Sequence, residues 1–207
     1  MQNNPYPDLI AAWRDPRREL RSTVRVLAIV AAVVLCFTIL FTQIFIGVQV
    51  VGSSMEPTLY GGDYLFVDTT VGIRRGDIVV VETDMHGGAG ETSSYEWIIK
   101  RVLGLPGDTL YAQGGVLYRR QAGEAEFSVV EEPYLDAEEP WTVRSSFPEI
   151  TVPAGEVYLL GDHRNVSEDS RSIGPQPIAQ VVGVVTGWSL AAKDFFTGIF
   201  GQFARNP

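Results

Sequence analysis

Gly52-Ser53-Ser54-Met55-Glu56-Pro57-Thr58-Leu59 is the stretch around which this chain is organised. Gly52 can adopt a positive φ that other residues avoid. Pro57 fixes its own φ and drives Glu56 towards an extended backbone. Two serines between such points sit on a defined turn with a side chain held outward. Taken alone, a Ser-rich turn is most often only a turn. The segments on either side give it more meaning.

Upstream, residues 26–46 form a run of 21 uncharged residues in which only Thr38, Thr42 and Gln43 are notably polar. At the helical rise this run covers about 32 Å, enough for a hydrocarbon core of about 30 Å. The apolar region of a cleaved leader is shorter and closes on a small-residue cleavage site, whereas Ile46-Gly47-Val48-Gln49-Val50 offers no such end. The run is therefore expected to be a transmembrane helix preceded by a polar N-terminal tail, residues 1–25. Arg14, Arg17, Arg18, Arg21 and Arg25 in that tail outnumber Asp8, Asp15 and Glu19. This bias places the N-terminus in the cytoplasm and everything from Gly47 onward beyond the cytoplasmic membrane. Ser54 follows Ile46 by eight residues, a reach of about 29 Å at most, so its chemistry is expected close to the bilayer surface.

Downstream the pattern is mainly β. Residues 64–67, 78–81, 97–103 and 157–160 are apolar, β-branched or aromatic runs. Gly61-Gly62-Asp63, Arg75-Gly76-Asp77, Gly104-Leu105-Pro106-Gly107-Asp108, Gly114-Gly115 and Gly161-Asp162 punctuate them as turns. The expectation is an antiparallel β-sheet domain over residues 47–187. Residues 109–155 form a small cap or insertion on it, with no separate core expected in the Glu- and Pro-rich part, 119–149. His86-Gly87-Gly88-Ala89-Gly90 marks a mobile loop between two strands. In residues 188–207, Phe195, Phe196, Ile199, Phe200 and Phe203 recur at helical spacing. That amphipathic segment is too short to span a bilayer; it either packs on the domain or lies in the lipid interface.

The totals exclude several functions. With 16 Lys+Arg against 25 Asp+Glu, the formal net charge of -9 lacks the basic footprint of a nucleic-acid-binding protein. The single cysteine, Cys36, allows no intramolecular disulfide and no Cys-rich metal site. Neither His86 nor His163 has metal-ligand spacing around it, and neither is assigned a catalytic role.

Only Lys100 and Lys193 are lysines. In a strand over residues 97–103, Ile98, Lys100 and Val102 share a face. A lysine held inward between them loses solvation, and its pKa falls. A neutral amine is a competent general base. The alternative is a sheet-edge lysine whose stem covers apolar surface while its head stays in water. The loop after the last strand, residues 161–171, is dense in hydrogen-bonding groups, and its Asp169 and Arg171 are close enough to pair.

Taken in order, these blocks resemble the bacterial type I signal peptidases, membrane-anchored serine proteases with a Ser-Lys dyad. The resemblance rests on the span, on residues 54–59, on Arg75-Gly76-Asp77-Ile78-Val79, on Lys100-Arg101-Val102-Leu103-Gly104-Leu105-Pro106-Gly107-Asp108, and on residues 161–171. It implies Ser54 as nucleophile and Lys100 as its general base. It implies Ser167 as the hydroxyl that orients the amine, Asp169 with Arg171 as a supporting pair, and Asp162 as a partner of Arg101. Met55 falls where the family lines its substrate cleft, with Pro57 beside it. Some members carry an oxyanion-binding serine where this chain has Gly52. The Ser54 N–H then remains one donor, and Ser53 or another backbone group is the candidate second. His163 stands where asparagine is frequent.

The implied activity is removal of N-terminal signal peptides from secreted preproteins, without metal or organic cofactor. The bilayer and the preproteins are the expected partners. A Ser-Lys self-cleaving repressor would share the chemistry, but the span argues against it. An inactive membrane-tethered homologue or binding module is the non-catalytic alternative.

Overall fold

The computed structural model describes residues 16–85, 94–135 and 146–201. The tail 1–15, the Gly-rich loop with His86, part of the cap (136–145) and residues 202–207 lie outside the described residues. The chain divides into two compact units, one ending at Ile44 and the other beginning at Phe45.

The first unit holds helix α1, Pro16–Ile44. Proline suits a first helical turn, where its missing N–H is no loss. The Arg, Glu and Leu residues that follow are good helix formers. The helix therefore begins earlier than the apolar run. It stops at Ile44, two residues before that run ends, because Phe45 and Ile46 belong to the first strand. Within Glu19–Ile44 an 18-residue stretch has a mean hydropathy of 2.8, and the helix is long and apolar enough to cross a membrane. Leu27, Val33 and Phe37 are more than half exposed, as expected of a helix whose apolar surface meets lipid.

The second unit is mostly antiparallel sheet. Its strands are β1 (Phe45–Gln49), β2 (Tyr64–Asp68), β3 (Ile78–Met85), β4 (Ser94–Gly104), β5 (Thr109–Gln113), β6 (Val116–Arg120), β7 (Ser128–Val129), β8 (Phe147–Thr151), β9 (Glu156–Leu160), β10 (Gln176–Pro177) and β11 (Val181–Val185). The main sheet runs β1-β2-β11-β3-β4-β9-β10, with antiparallel neighbours throughout. The unbroken Ile78-Val79-Val80-Val81 run is explained by burial on both faces. Ile78 and Val80 join a cluster with Met55, Leu59, Leu65, Val67 and Ile99. Val79 and Val81 join another with Val102, Val157 and Leu159.

Two turns brace β3 and β4. Arg75 grips Asp108 with two charge-assisted bonds of 2.6 and 2.7 Å, and Asp108 also accepts from the N–H groups of Leu105 and Ala122. Burial pushes the Asp108 carboxyl up, but these donors outweigh it and hold the group below its ordinary range.

The cap is more than an appendage. Strands β5–β8 form a second, four-stranded sheet in the order β7-β6-β5-β8. Leu110, Ala112, Leu117 and Phe147 pack with Leu103, Tyr158 and Leu160 of β4 and β9. Of the buried residues of this cluster only Phe147 falls within 119–149, and the cluster is shared with the main sheet. The cap needs few apolar residues of its own because three of the eight buried residues of the cluster come from the main sheet.

After β9 come the single-turn helix α2 (Ser170–Ile173) and then, beyond β11, helices α3 (Gly187–Ala191) and α4 (Lys193–Phe200). The last two pack on β2. Phe66 meets Trp188, Phe196 and Phe200 at ring-centroid distances of 4.9–6.2 Å, and Phe45 meets Trp188 at 5.3 Å. Phe195 and Ile199 face outward.

Candidate active site

The nucleophile turn is held from two sides. Gly52 has a φ of +80°, the left-handed conformation its lack of a Cβ permits. A short helical turn follows, in which Leu59 N–H donates to Met55 O. Met55 and Leu59 are buried in the main core, so the turn cannot swing on its anchors.

Lys100 sits on β4 in register with Val79 and is 4 % exposed. Its Nζ lies 2.8 Å from Ser54 Oγ. Burial lowers the lysine pKa. Asp169, Glu168 and Asp162 pull the other way and Arg171 adds to the lowering, with the balance falling below the ordinary lysine value. The ammonium is costly here and the neutral amine is favoured. Such an amine can take a proton from the hydroxyl it touches, which a serine needs in order to attack a carbonyl.

The neighbours of this pair are bound to one another. Asp162 accepts from Arg101 Nε at 2.8 Å and Nη2 at 2.6 Å, and from Thr58 Oγ1 at 2.5 Å. One buried carboxylate thus joins the residue after the lysine, the end of the nucleophile turn and the closing loop. The Tyr134 ring lies 3.7 Å from the Arg101 guanidinium carbon. Asp169 is fully buried; it caps α2, grips Arg171 with bonds of 2.7 and 2.8 Å, and accepts from Gly161 N–H. Arg171 in turn donates to the carbonyls of Arg164 and Ser167. Arg164 is buried against Gly161 O and pairs with Glu132 from the cap.

Ser167 departs from its expected contact. Its hydroxyl is buried and has no hydrogen-bond partner among the described residues, so it does not orient the amine in this geometry. It packs instead into the space left by the missing side chain of Gly161, where an added Cβ would collide with Ser167 and with Ser54 O.

A cleft of about 460 Å³ opens beside the dyad, bordered by residues 47–51, Ser54, Met55 and residues 97–100. Of the expected lining residues only Met55 borders it. Gly52, Ser53 and Pro57 are not part of its lining; Ser53 O instead accepts from Glu56 N–H and lies 3.1 Å from His163 Nδ1 of the closing loop. The backbone N–H of Ser54 donates to no acceptor among the described residues.

Sequence reasoning did not find Thr58, Tyr134, Glu132 or the contact of His163. The Thr-Leu after Pro57 and the Glu-Pro-Tyr of the cap carried no local signal of these long-range pairings.

A serine whose hydroxyl meets a buried amine, with an open cleft beside it, is a set of groups from which a serine hydrolase without a histidine base can be built. The profile of the family described as signal peptidase, peptidase S26, matches residues 21–188, and the chain belongs to this family. The chain is similar to signal peptidase I T of Bacillus subtilis (strain 168), with 37% identity over 133 residues covering 59% of this chain and 62% of that protein. It is also similar to signal peptidase I of Bacillus caldolyticus, with 34% identity over 175 residues covering 78% and 84%. A solved signal peptidase I from Enterococcus faecalis V583 aligns over 56% of this chain and 98% of its own, at 27% identity and a TM-score of 0.43. The chain thus spans somewhat less than two thirds of several Bacillus relatives, including the first of these.

Proposed function

We propose that this protein is a membrane-bound serine endopeptidase that removes N-terminal signal peptides from secreted preproteins. The observation that carries the reading is the 2.8 Å contact between Ser54 Oγ and the buried amine of Lys100. Neutral Lys100 accepts the Ser54 proton as Oγ bonds to the scissile carbonyl carbon. The carbonyl π electrons move to oxygen, beside the Ser54 N–H, and the C–N bond then breaks with the proton passing from Lys100 to the departing amine. Water, activated by the same amine, cleaves the resulting ester and restores the hydroxyl.

The cleft geometry fits an extended substrate. One wall is the edge strand β1; the other is the part of β4 before Arg101, which pairs with β3 on one side while β9 joins its other side only from Arg101 onward. A peptide between them can complete main-chain pairing on both sides. Helix α1 anchors the enzyme, with its arginine-rich N-terminus cytoplasmic and the β-domain on the outer face. Ser54 follows the apolar run by eight residues, so on this reading cleavage takes place close to the bilayer, where a preprotein's apolar segment ends.

The test is cleavage of a preprotein by full-length protein in detergent. Wild type releases the leader, while Ser54→Ala and Lys100→Arg, which keeps the charge at all accessible pH values, do not. Processing by either variant at the wild-type rate would remove the dyad. A wild-type protein that binds preprotein without cutting it would favour the tethered binding module.

A further inference from the structure

Both carbonyls that flank the Ser54 α-carbon are contacted by one residue of the closing loop. His163 N–H donates to Ser54 O at 3.0 Å, and His163 Nδ1 lies 3.1 Å from Ser53 O. A carbonyl oxygen only accepts, so Nδ1 carries a proton in this contact. The Ser53 carbonyl and the Ser54 N–H belong to the same peptide plane. In a trans peptide the two point in opposite directions and cannot turn independently. Aiming Ser53 O at the closing loop therefore aims Ser54 N–H away from it. The cleft contains Ser54 and is bordered by residues 47–51, Met55 and 97–100, with no residue of the closing loop. A donor on the carbonyl also polarises the peptide and strengthens its N–H as a donor.

We propose that His163 is a positioning residue for the oxyanion donor: its ring fixes and polarises the Ser53–Ser54 peptide so that the Ser54 N–H meets the developing oxyanion. This rests on the peptidase reading above. His163 meets Ser54 through its backbone N–H, and its ring acts through the Ser53–Ser54 peptide rather than on the Ser54 hydroxyl. Glu56 N–H also donates to Ser53 O, at 3.1 Å, but it comes from within the turn. Among the described residues, only His163 ties the plane to the loop that Asp169, Arg164 and Arg171 hold together.

The experiment compares wild type with His163→Ala, His163→Leu and His163→Asn in full-length protein, first by preprotein cleavage. Absence of cleavage by wild type would sink the peptidase reading itself. With wild type active, His163→Ala and His163→Leu should lose about tenfold in kcat with KM within about twofold, a fraction of what an entire oxyanion donor contributes. His163→Asn, whose amide N–H₂ can donate to the same carbonyl, should recover most of the loss. The second measurement separates positioning from folding. A peptide aldehyde forms an adduct in which Ser54 Oγ bonds to the aldehyde carbon, its proton moves to Lys100, and the carbonyl oxygen becomes an alkoxide. The same peptide ending in an amide makes no alkoxide. The ratio of the two affinities is independent of the folded fraction, and in His163→Leu it should fall about tenfold. An unchanged ratio, a loss confined to KM, or equal rates for the Asn and Leu variants would each overturn the proposal.

Discussion

Replacing Asp162 by alanine would remove the carboxylate that the Arg101 guanidinium, the Thr58 hydroxyl and the closing loop share. Asp162 and Arg101 are 3 % and 8 % exposed, so the variant leaves a cation in the interior with Gly76 O, the Thr58 hydroxyl at 3.4 Å and the Tyr134 face as its remaining support. Breaking one side of a buried pair costs about 3–5 kcal/mol, and the lost Thr58 bond adds about 1 kcal/mol. In a domain of this size 1 kcal/mol moves Tm by about 2–4 °C, so Asp162→Ala should melt roughly 8–24 °C below wild type. The assay is thermal unfolding of the full chain in detergent, followed by near-ultraviolet circular dichroism so that helix α1 does not dominate. Asp162→Asn keeps an acceptor oxygen and should lose less. The double variant Arg101→Met/Asp162→Leu removes both charges and should recover a large share of the loss. A Tm within 3 °C of wild type for Asp162→Ala, or a double variant no better than the single, would refute the reasoning.

Other outcomes follow from the same contacts. Gly161→Ala forces its new Cβ onto Ser54 O and Ser167; the displaced nucleophile should lower kcat about 10²-fold, read by preprotein cleavage. Ser167→Ala deletes a buried hydroxyl with no partner among the described residues; stability should hold or rise by about 1 kcal/mol, and a fall of that size would reveal a bond. Lys100→Met should abolish cleavage and raise Tm at pH 7. The folded lysine pKa lies below the unfolded value, so wild type bears the full cost of the buried ammonium below the folded pKa. The cost fades as pH rises towards the unfolded value, and the Tm advantage of the variant should shrink with it. Asp108 works in the opposite sense. Its folded pKa is depressed, so its contribution is present above the unfolded carboxylate value and lost as pH falls through the folded one; Asp108→Asn should flatten that acid limb of a Tm–pH curve.

What was legible in the sequence depended on how local the cause was. The Ile98-Lys100-Val102 alternation made a desolvated lysine one of two readings, beside a sheet-edge lysine, because strand period is a property of a few neighbouring residues. Gly52 announced a positive φ for the same reason. The pairing of Asp169 with Arg171 was readable from their closeness in sequence; that of Asp162 with Arg101 came from resemblance, because the geometry of a loop folding back on a strand has no period. Thr58 meets Asp162 across 104 positions and His163 meets Ser53 across 110, and no window of sequence contains both partners. The core under the cap was not legible because it is shared: Leu110 and Leu117 look isolated until Leu103 and Tyr158 are placed against them. Helix α1 overran its apolar run because helix propensity, rather than hydropathy, governs the Arg-rich first turns.

The measurement that bears most directly on the account is kcat/KM for preprotein cleavage as a function of pH. If a desolvated Lys100 is the base, the free enzyme is inactive as ammonium, and the profile should rise tenfold per pH unit and level off at a pKa clearly below the ordinary lysine value of 10.5. A profile flat from pH 6 to 9, or one that climbs only as pH approaches the ordinary lysine value, would contradict it.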